Sequence, residues 1–481
     1  MKTDDTKKAV KNIPPKGDDL SEWYTQVCLK AQLVDYAPVR GCIVLRPYGF
    51  AIWDRIREEF DKRFKATGHS NAYFPLFIPE SLLARESDHV EGFAPEVAWV
   101  TQGGGETLTE RLAIRPTSEV IIGMMYARWI QSHRDLPVLI NQWCNVVRWE
   151  KATRPFLRTL EFLWQEGHTA HATQTEAAEE VQRMLEVYRE VAEDVLGLPV
   201  IKGRKSANER FAGALATYAI EAMMPDGKAL QAGTSHELGQ NFAKAYDISF
   251  TDVDEQRKHV WTTSWGVSWR ILGGLIMAHG DDRGLVLPPA IAPHQIVIVP
   301  ILRKGDETVL PAARACFDVL RGEFRVHLDD RLEQTAPWKF NEWEMRGVPV
   351  RIEIGPRDVA EGKVTIARRD TLEKSAVPTA EAAAHIGRTL ADIQRELHAR
   401  ARAERERRTT TATTRDEFVD ALKRQTGFVL APWCERTECE LEIKAETSAV
   451  SRVIVADAST GELCAYCGSP AKVKAYFARS Y

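Results

Sequence analysis

No apolar run in the sequence approaches the roughly 20 residues a helix needs to cross a bilayer. That sets aside a chain of membrane-spanning helices. The first twenty residues are charged and carry Pro14, Pro15 and Gly17, without the apolar stretch of a secretion signal, so a cytoplasmic protein is expected. Cysteine is sparse, with 8 in 481 residues, and four of them (Cys28, Cys42, Cys144, Cys316) are scattered. This is not a secreted disulfide scaffold. Nor is there an excess of positive charge: 64 Lys and Arg against 68 Asp and Glu leave a net charge of −4. Any contact with nucleic acid must therefore come from local basic patches. What is present is ordinary for a globular protein, 44% hydrophobic and 27% charged. The chain is too long for one core, which points to three or so domains.

One stretch organises the rest: Asn145-Val-Val-Arg-Trp-Glu150, then Pro155-Phe-Leu-Arg-Thr-Leu-Glu-Phe-Leu-Trp-Gln-Glu-Gly-His168. It reads as two strands joined by a short polar turn at 151–154. Arg148 and Arg158 stand near the ends of that loop, and guanidinium grips phosphate oxygens in a planar fork. Taken alone, the same residues also fit a surface hairpin with solvated arginines. Upstream, Trp23, Tyr24, Val27, Leu29 and Leu33 suggest a helix within 20–40, followed by a strand at 41–46 and a turn at 47–49. Ile52, Ile56, Phe60 and Phe64 share one face of a helix over 51–65, ended by Gly68. A strand over 71–78 contains Pro75, which places it at an edge or interface. Residues 91–96 and the run Gly103-Gly-Gly105 read as mobile loops. Thr117 and Glu119 would share one face of a strand; the same residues also fit a helix start, with Thr117 or Ser118 as N-cap.

Beyond the hairpin, Thr173-x-x-Glu176 forms a capping box for a helix striped by Val181, Leu185, Tyr188, Val191 and Val195. Strands at 214–223 and 228–232 lead into Gln231-Ala-Gly-Thr-Ser-His236, where Gln231, Thr234 and His236 alternate loosely enough to line one wall of a pocket. Thr263 to Arg270 is followed by the run Ile271 to Met277, and an Arg opening a helix there would suit phosphate. Asp281, Asp282 and Arg283 read as a structural turn. After Ala292-Pro293, strands at 294–300, 324–328, 349–354 and 363–368 alternate with helices at 309–320 and 339–346, which implies a small α/β sheet. Residues 388–408 read as a solvated helix and 409–414 as a linker. Finally, Cys434-x4-Cys439 and Cys464-x2-Cys467 match a closed tetrahedral Zn²⁺ site of structural type.

The hairpin stretch resembles motif 2 of class II aminoacyl-tRNA synthetases, and the prolyl-tRNA synthetase version of it in particular. The helix-plus-Pro75 segment resembles motif 1, the family's dimer interface, and the stretch around Ser268 and Arg270 resembles motif 3. The resemblance covers nearly all of residues 20–481. It implies an N-terminal tail (1–19), an α+β catalytic domain with an antiparallel sheet flanked by helices (20–291), an α/β anticodon-binding domain (292–385) and a small α+β zinc-binding C-terminal domain (386–481). The implied reaction is activation of L-proline by ATP, with Mg²⁺ on the phosphates, and transfer to tRNA(Pro). Arg148 and Arg270 would be the catalytic arginines. Thr117, Glu119, Arg148, Phe162, Trp164, Glu166, His168 and His236 would bind proline. Arg148, Glu150, Arg158, Thr159, Gln231, Thr234, Ser268 and Arg270 would bind ATP. Glu344, Arg351 and Arg357 would read the anticodon, although Pro337-Trp338 departs from the family's Pro-Gly. The motif 2 to motif 3 interval, roughly a hundred residues, leaves no room for a large editing insertion, as in the archaeal and eukaryotic type. A homodimer through the Pro75 region is implied, and neither membrane nor DNA is an expected partner. A sister synthetase (threonyl or seryl) and a non-catalytic synthetase-like RNA-binding protein are the competing readings. The first would want a metal in the catalytic core; the second would be expected to have lost one of the two arginines.

Overall fold

The structure, a computed structural model, describes residues 13–87 and 97–481; the loop expected at 91–96 lies outside the described residues. Its spine is an eleven-stranded sheet. Near one edge of that sheet, with only Ser70–Asn71 beyond it, lies the hairpin of Val138–Val147 and Glu161–His171, paired antiparallel from Val138↔Ala170 to Val147↔Glu161. Trp261–Ser268, Ala229–Gly239, Ala216–Met223 and Val200–Arg204 continue the sheet on one side, each antiparallel to the last. A single pair, Ile454↔Arg204, then joins it to the C-terminal strands Val450–Asp457, Val473–Ala478, Phe428–Trp433 and Thr409–Thr411.

Two helices cover one face of the central strands. Pro47–Ala66 buries Ile52, Ile56, Phe60 and Phe64, and Gln174–Glu190 starts at the expected Thr173/Glu176 capping box and buries Val181, Leu185 and Tyr188. Their aromatics meet at the sheet, with Phe64 and Trp265 ring centroids 5.0 Å apart and Phe60 and Tyr188 5.8 Å apart. Gly167 permits this packing: a Cβ there would lie 2.1 Å from the Trp265 ring. With one face filled, the opposite face is free for a site.

Several local expectations are corrected. The hairpin's second strand starts at Glu161, not at Pro155. The residues before it form a longer loop closed by the Arg154↔Arg158 bridge, with Phe156 at φ 58. Pro47 opens a helix instead of a turn, because its missing N–H and fixed φ suit the first helical position. The strand expected over 71–78 is broken into Ser70–Asn71 and Phe77–Pro79, with Pro75 between them. Gly103 ends a strand, and Gly104 and Gly105, both at positive φ, make the tight turn of the hairpin Trp99–Gly103/Glu106–Ile114. Thr409–Thr411 is a strand of the large sheet, not a linker.

A second sheet orders its strands Val326–Leu328, Ile296–Pro300, Val350–Ile354, Lys363–Arg368 and Lys374–Pro378. The first three are parallel and the rest antiparallel. The helix Pro356–Glu361 and the strand Lys374–Pro378 were not anticipated. The solvated helix runs Ala382–Arg407, and its Ile386, Leu390, Ile393 and Leu397 are packed into this unit's core. Asp281, in the turn after the first unit's last helix, is paired with Arg369 of the second at 2.6 Å. Among the described residues no helix is long and apolar enough to cross a membrane.

Candidate active site

The open face of the central sheet holds a cavity of about 260 Å³. Thr117, Glu119, Arg148, Phe162, Trp164, Glu166, His168, Gln231, Thr234, His236, Ser268 and Arg270 all line it. Glu150, Arg158 and Thr159 line an adjoining cleft, which shares Arg148, Phe162, Ser268 and Arg270 with the cavity. Every residue expected at the proline and nucleotide sites is therefore brought to one place. Antiparallel register does this: Gly266 lies opposite both Thr234 and Glu166, and Ser264 opposite both His236 and His168, so three strands present their polar residues on the same face.

One end is acidic and closely bonded. Ser118 is the N-cap of the helix Glu119–Trp129, so Thr117-x-Glu119 is a helix start and not a strand. Thr117 Oγ1 donates to the Glu119 carboxylate. Glu166 accepts from Ser118 N at 3.1 Å, Ser118 Oγ at 2.5 Å and Gln142 Nε2 at 2.8 Å, and meets His168 Nε2 at 3.2 Å. Burial opposes the ionisation of Glu166, but these partners outweigh it and hold its carboxyl down to about 2. Burial likewise opposes charge on His168, while Glu166 and Glu119 raise its pKa above the ordinary value. His236 is the opposite case: burial, then His168 and Arg148, push it down to about 3, so it is neutral. Its Nδ1 lies 3.0 Å from Thr217 Oγ1. Glu119, Glu166 and His168 also have ligand atoms within 4.8 Å of one another. The catalytic core thus holds a carboxylate–imidazole group made of three residues expected at the proline site, with Glu166 and His168 bonded to each other.

The other end is cationic. Arg148 Nε donates to Pro116 O at 3.2 Å, and its guanidinium lies 5.5 Å from the Phe162 ring and 5.3 Å from that of Trp164. Arg270, the first residue of the helix Arg270–His279, donates Nε to Leu157 O at 2.9 Å. Burial, then Arg158 and Arg148, lower the Arg270 pKa to about 10. Three guanidiniums thus crowd one cleft against one carboxylate, Glu150, which lies 3.7 Å from Arg158. An anion bound among them relieves that repulsion. Thr159 Oγ1 is buried there, and Ser264 Oγ beside His168 and His236, each without a protein partner.

Sequence reasoning missed Gln142, Ser118 and Trp265, which hold or wall the acidic end, Glu209 and Phe211, which line the cavity from a distant loop, and Thr217 on the strand that follows it. Alternation along Val138–Val147 could have found Gln142; no local signal marks Phe211.

Two further clusters lie elsewhere. Glu344 and Arg351 line a separate cavity of about 320 Å³ in the second unit, with Arg351 Nη1 2.8 Å from Glu344 Oε1 and its guanidinium 4.2 Å from the Phe340 ring. Arg357 does not join them. It is 90% exposed on the helix Pro356–Glu361 and paired with Glu361 on the same helix, so the expected trio does not share one cavity. Cys434, Cys439, Cys464 and Cys467 have sulfurs within 4.8 Å of one another, with Cys434–Cys467 at 3.6 Å and Cys439–Cys464 at 3.9 Å. Four sulfurs around a metal at about 2.3 Å would stand roughly 3.8 Å apart, so the set fits a tetrahedral ion.

The catalytic unit is that of a class II aminoacyl-tRNA synthetase: residues 100–279 match the tRNA synthetase class II core domain (G, H, P, S and T). Residues 295–389 match the anticodon binding domain, and 415–481 the prolyl-tRNA synthetase C-terminal domain. The chain is 55% identical over 475 residues to a proline–tRNA ligase of Natranaerobius thermophilus, covering 98% of both chains. It is 55% identical over 476 residues to that of Alkaliphilus oremlandii, covering 99% of both. A crystal structure of prolyl-tRNA synthetase from Cryptosporidium parvum, complexed with halofuginone and AMPPNP, superimposes with a TM-score of 0.94 at 42% identity, over 98% of this chain and 100% of that one. The chain belongs to the prolyl-tRNA synthetase family.

Proposed function

We propose that this chain activates L-proline with ATP and transfers it to the 3′ end of tRNA(Pro). The observation that carries the proposal is the single cavity with a cationic end and an acidic end, seen in a chain whose relatives are proline–tRNA ligases. Proline's secondary ammonium has two donors, and Glu119 and Thr117 present acceptors to it. Glu166, fixed by Ser118, Gln142 and His168, holds that end negative. Phe162, Trp164 and His236 wall the ring. Arg148, between the two ends, holds the proline carboxylate against the α-phosphate. Arg270 holds the distal phosphates, while Glu150, Arg158, Thr159, Gln231, Thr234 and Ser268 flank the nucleotide. The chemistry asks for positioning and for stabilisation of charge at an in-line displacement, and no protein nucleophile is needed. Mg²⁺, when bound, would supply charge neutralisation at the phosphates, and Glu150, the carboxylate in that cleft, would help hold it. Proline-dependent ATP–pyrophosphate exchange, run across all twenty amino acids, tests the reading. A preference for threonine or serine, or no exchange at all, would overturn it.

The finer assignments belong to the same proposal. The chain divides at 20–291, 292–385 and 386–481, with the helix Ala382–Arg407 crossing the last boundary. It is of the archaeal and eukaryotic type, supported by the short interval between the strands Glu161–His171 and Trp261–Ser268. Zn²⁺ sits among the four cysteines and holds the C-terminal unit. Glu344 and Arg351 read guanines of the anticodon, and Arg357 reaches the tRNA from outside their cavity. Two copies pair around Pro75, where Tyr73, Phe77 and Trp129 leave their rings exposed. The enzyme works in the cytoplasm.

A further inference from the structure

The loop 205–215 leaves the strand Val200–Arg204 and returns into Ala216–Met223. It brings Glu209 and Phe211 to the cavity wall, with the Phe211 ring 4.7 Å from His236. Phe211 N donates to Thr217 Oγ1 at 3.0 Å, the same oxygen that meets His236 Nδ1. From Ser206 to Arg210 the loop is polar apart from Ala207, so apolar packing does little to hold it.

Phe211, Ala212 and Ala214 pack in the catalytic unit's own core, and Leu215 N donates to Glu237 O at 2.7 Å; the polar first half is held from the C-terminal unit. Glu440, 2% exposed on the helix Thr437–Thr447, accepts from Ser206 Oγ at 3.1 Å and from Asn208 Nδ2 at 2.9 Å. Its remaining bonds, from Ser451 N at 3.2 Å and Ser451 Oγ at 2.5 Å, anchor it within its own unit. Ser206 Oγ in turn accepts from Glu209 N at 3.3 Å. At the start of the loop, Lys205 Nζ donates to Glu221 Oε1 at 3.1 Å and to Arg452 O at 2.9 Å, and Arg452 Nη2 closes the group on Glu221 at 2.8 Å. A buried carboxylate with four donors makes charge-assisted bonds of fixed direction. Between the units the backbone pairs at Ile454↔Arg204 and again at Ala229↔Ser480, and these side chains add the bonds made at the loop itself.

We propose that Glu440 is a positioning residue for the amino-acid pocket: through Ser206 and Asn208 the C-terminal unit holds Phe211 against His236 and so sets the fit of the proline ring. The inference rests on the reading of the cavity as the proline site. No bond of Glu440 reaches the nucleotide end.

The test is ATP–pyrophosphate exchange with the full-length zinc-loaded chain. Glu440→Gln removes the charge and puts a donor against Asn208 or the serines. KM for proline is expected to rise about tenfold, with KM for ATP changed less than twofold. Asn208→Ala, at an exposed position that leaves folding intact, is expected to raise KM for proline about threefold, and the two changes together no further than Glu440→Gln alone. Equal rises in both KM values, a fall in melting temperature with KM for proline unmoved, or no effect of Asn208→Ala would overturn the proposal. If the unaltered chain shows no proline-dependent exchange, the reading of the cavity fails first and this inference with it.

Discussion

At the scale of the residue, the site is decided by charge. Arg148 is open to solvent at the cavity, its guanidinium held by one carbonyl and two aromatic rings, and it lies close to Arg270. Such a cluster persists because the rest of the fold stabilises it, and it favours an anion strongly. Arg148→Ala should lower proline-dependent exchange by at least about 10²-fold, the range for removing one preorganised donor from a charged transition state. Binding of tRNA(Pro), followed by filter retention, should survive. Retained exchange would remove Arg148 from the site. Buried histidines set the acid limit of stability. His279, bonded through Nε2 to Leu196 O at 2.8 Å, is pushed down to about 4, mainly by burial. Its folded pKa lies below the unfolded one near 6.5, so the stability it contributes is complete above pH 6.5 and is lost as pH falls towards 4. The loss from this residue is at most about 3 kcal/mol. Urea midpoints at pH 7 and pH 4.5 should show a smaller acid loss in His279→Gln than in the unaltered chain; an equal loss would count against it.

At the scale of the element, two units make separable demands. In the second sheet, Arg351 stands in a cavity beside Glu344 and Phe340, whereas Arg357 stands in solvent. Arg351→Ala should raise KM for tRNA(Pro) at least tenfold and leave ATP–pyrophosphate exchange intact, while Arg357→Ala should change KM for tRNA less than threefold. A larger effect at Arg357 would restore it to the reading surface. In the C-terminal unit, the cysteine spacing argues that one Zn²⁺ is bound per chain. Elemental analysis of purified protein should find it. Cys464→Ser should lose it and bring a new, lower-temperature unfolding step in calorimetry, because ligand binding to the folded form alone stabilises that form. Much of this was legible beforehand. Two cysteine pairs at close spacing announce a cluster, and a capping box announces a helix start. The strand across Pro75 and the linker at 409–414 were misread. Proline's missing donor interrupts a ladder, and three threonines form a strand only because Phe428–Trp433 offers an edge to pair with.

At the scale of the whole molecule, selectivity falls to one pocket. The strands Glu161–His171 and Trp261–Ser268 are neighbours in the sheet, and the interval between them in sequence is filled by helices, by strands that extend the same sheet and by the small hairpin Ser249–Thr251/Arg257–His259. An aromatic-walled pocket distinguishes a missing methylene by only about 1–3 kcal/mol, or roughly 10–200-fold. Alanine or cysteine should therefore be activated at a measurable rate, with kcat/KM lower than for proline by about 10²–10⁴. Exchange undetectable for both amino acids while proline is active would show a stricter pocket than this geometry provides.

The order of polar and apolar residues along the chain was enough to place Glu166 on a strand and Arg148 at the end of its partner, since period is a local property. Arg270 came from the resemblance to motif 3, and His236, expected past the strand at 228–232, lies within Ala229–Gly239. The sequence was also enough to pair the cysteines. Which strands lie side by side, which loop reaches the cavity, and whether a charged side chain meets a partner or water depend on contacts between residues hundreds of positions apart. Those contacts separated Arg351 from Arg357 and brought Glu440 to Asn208, and no local pattern carries them.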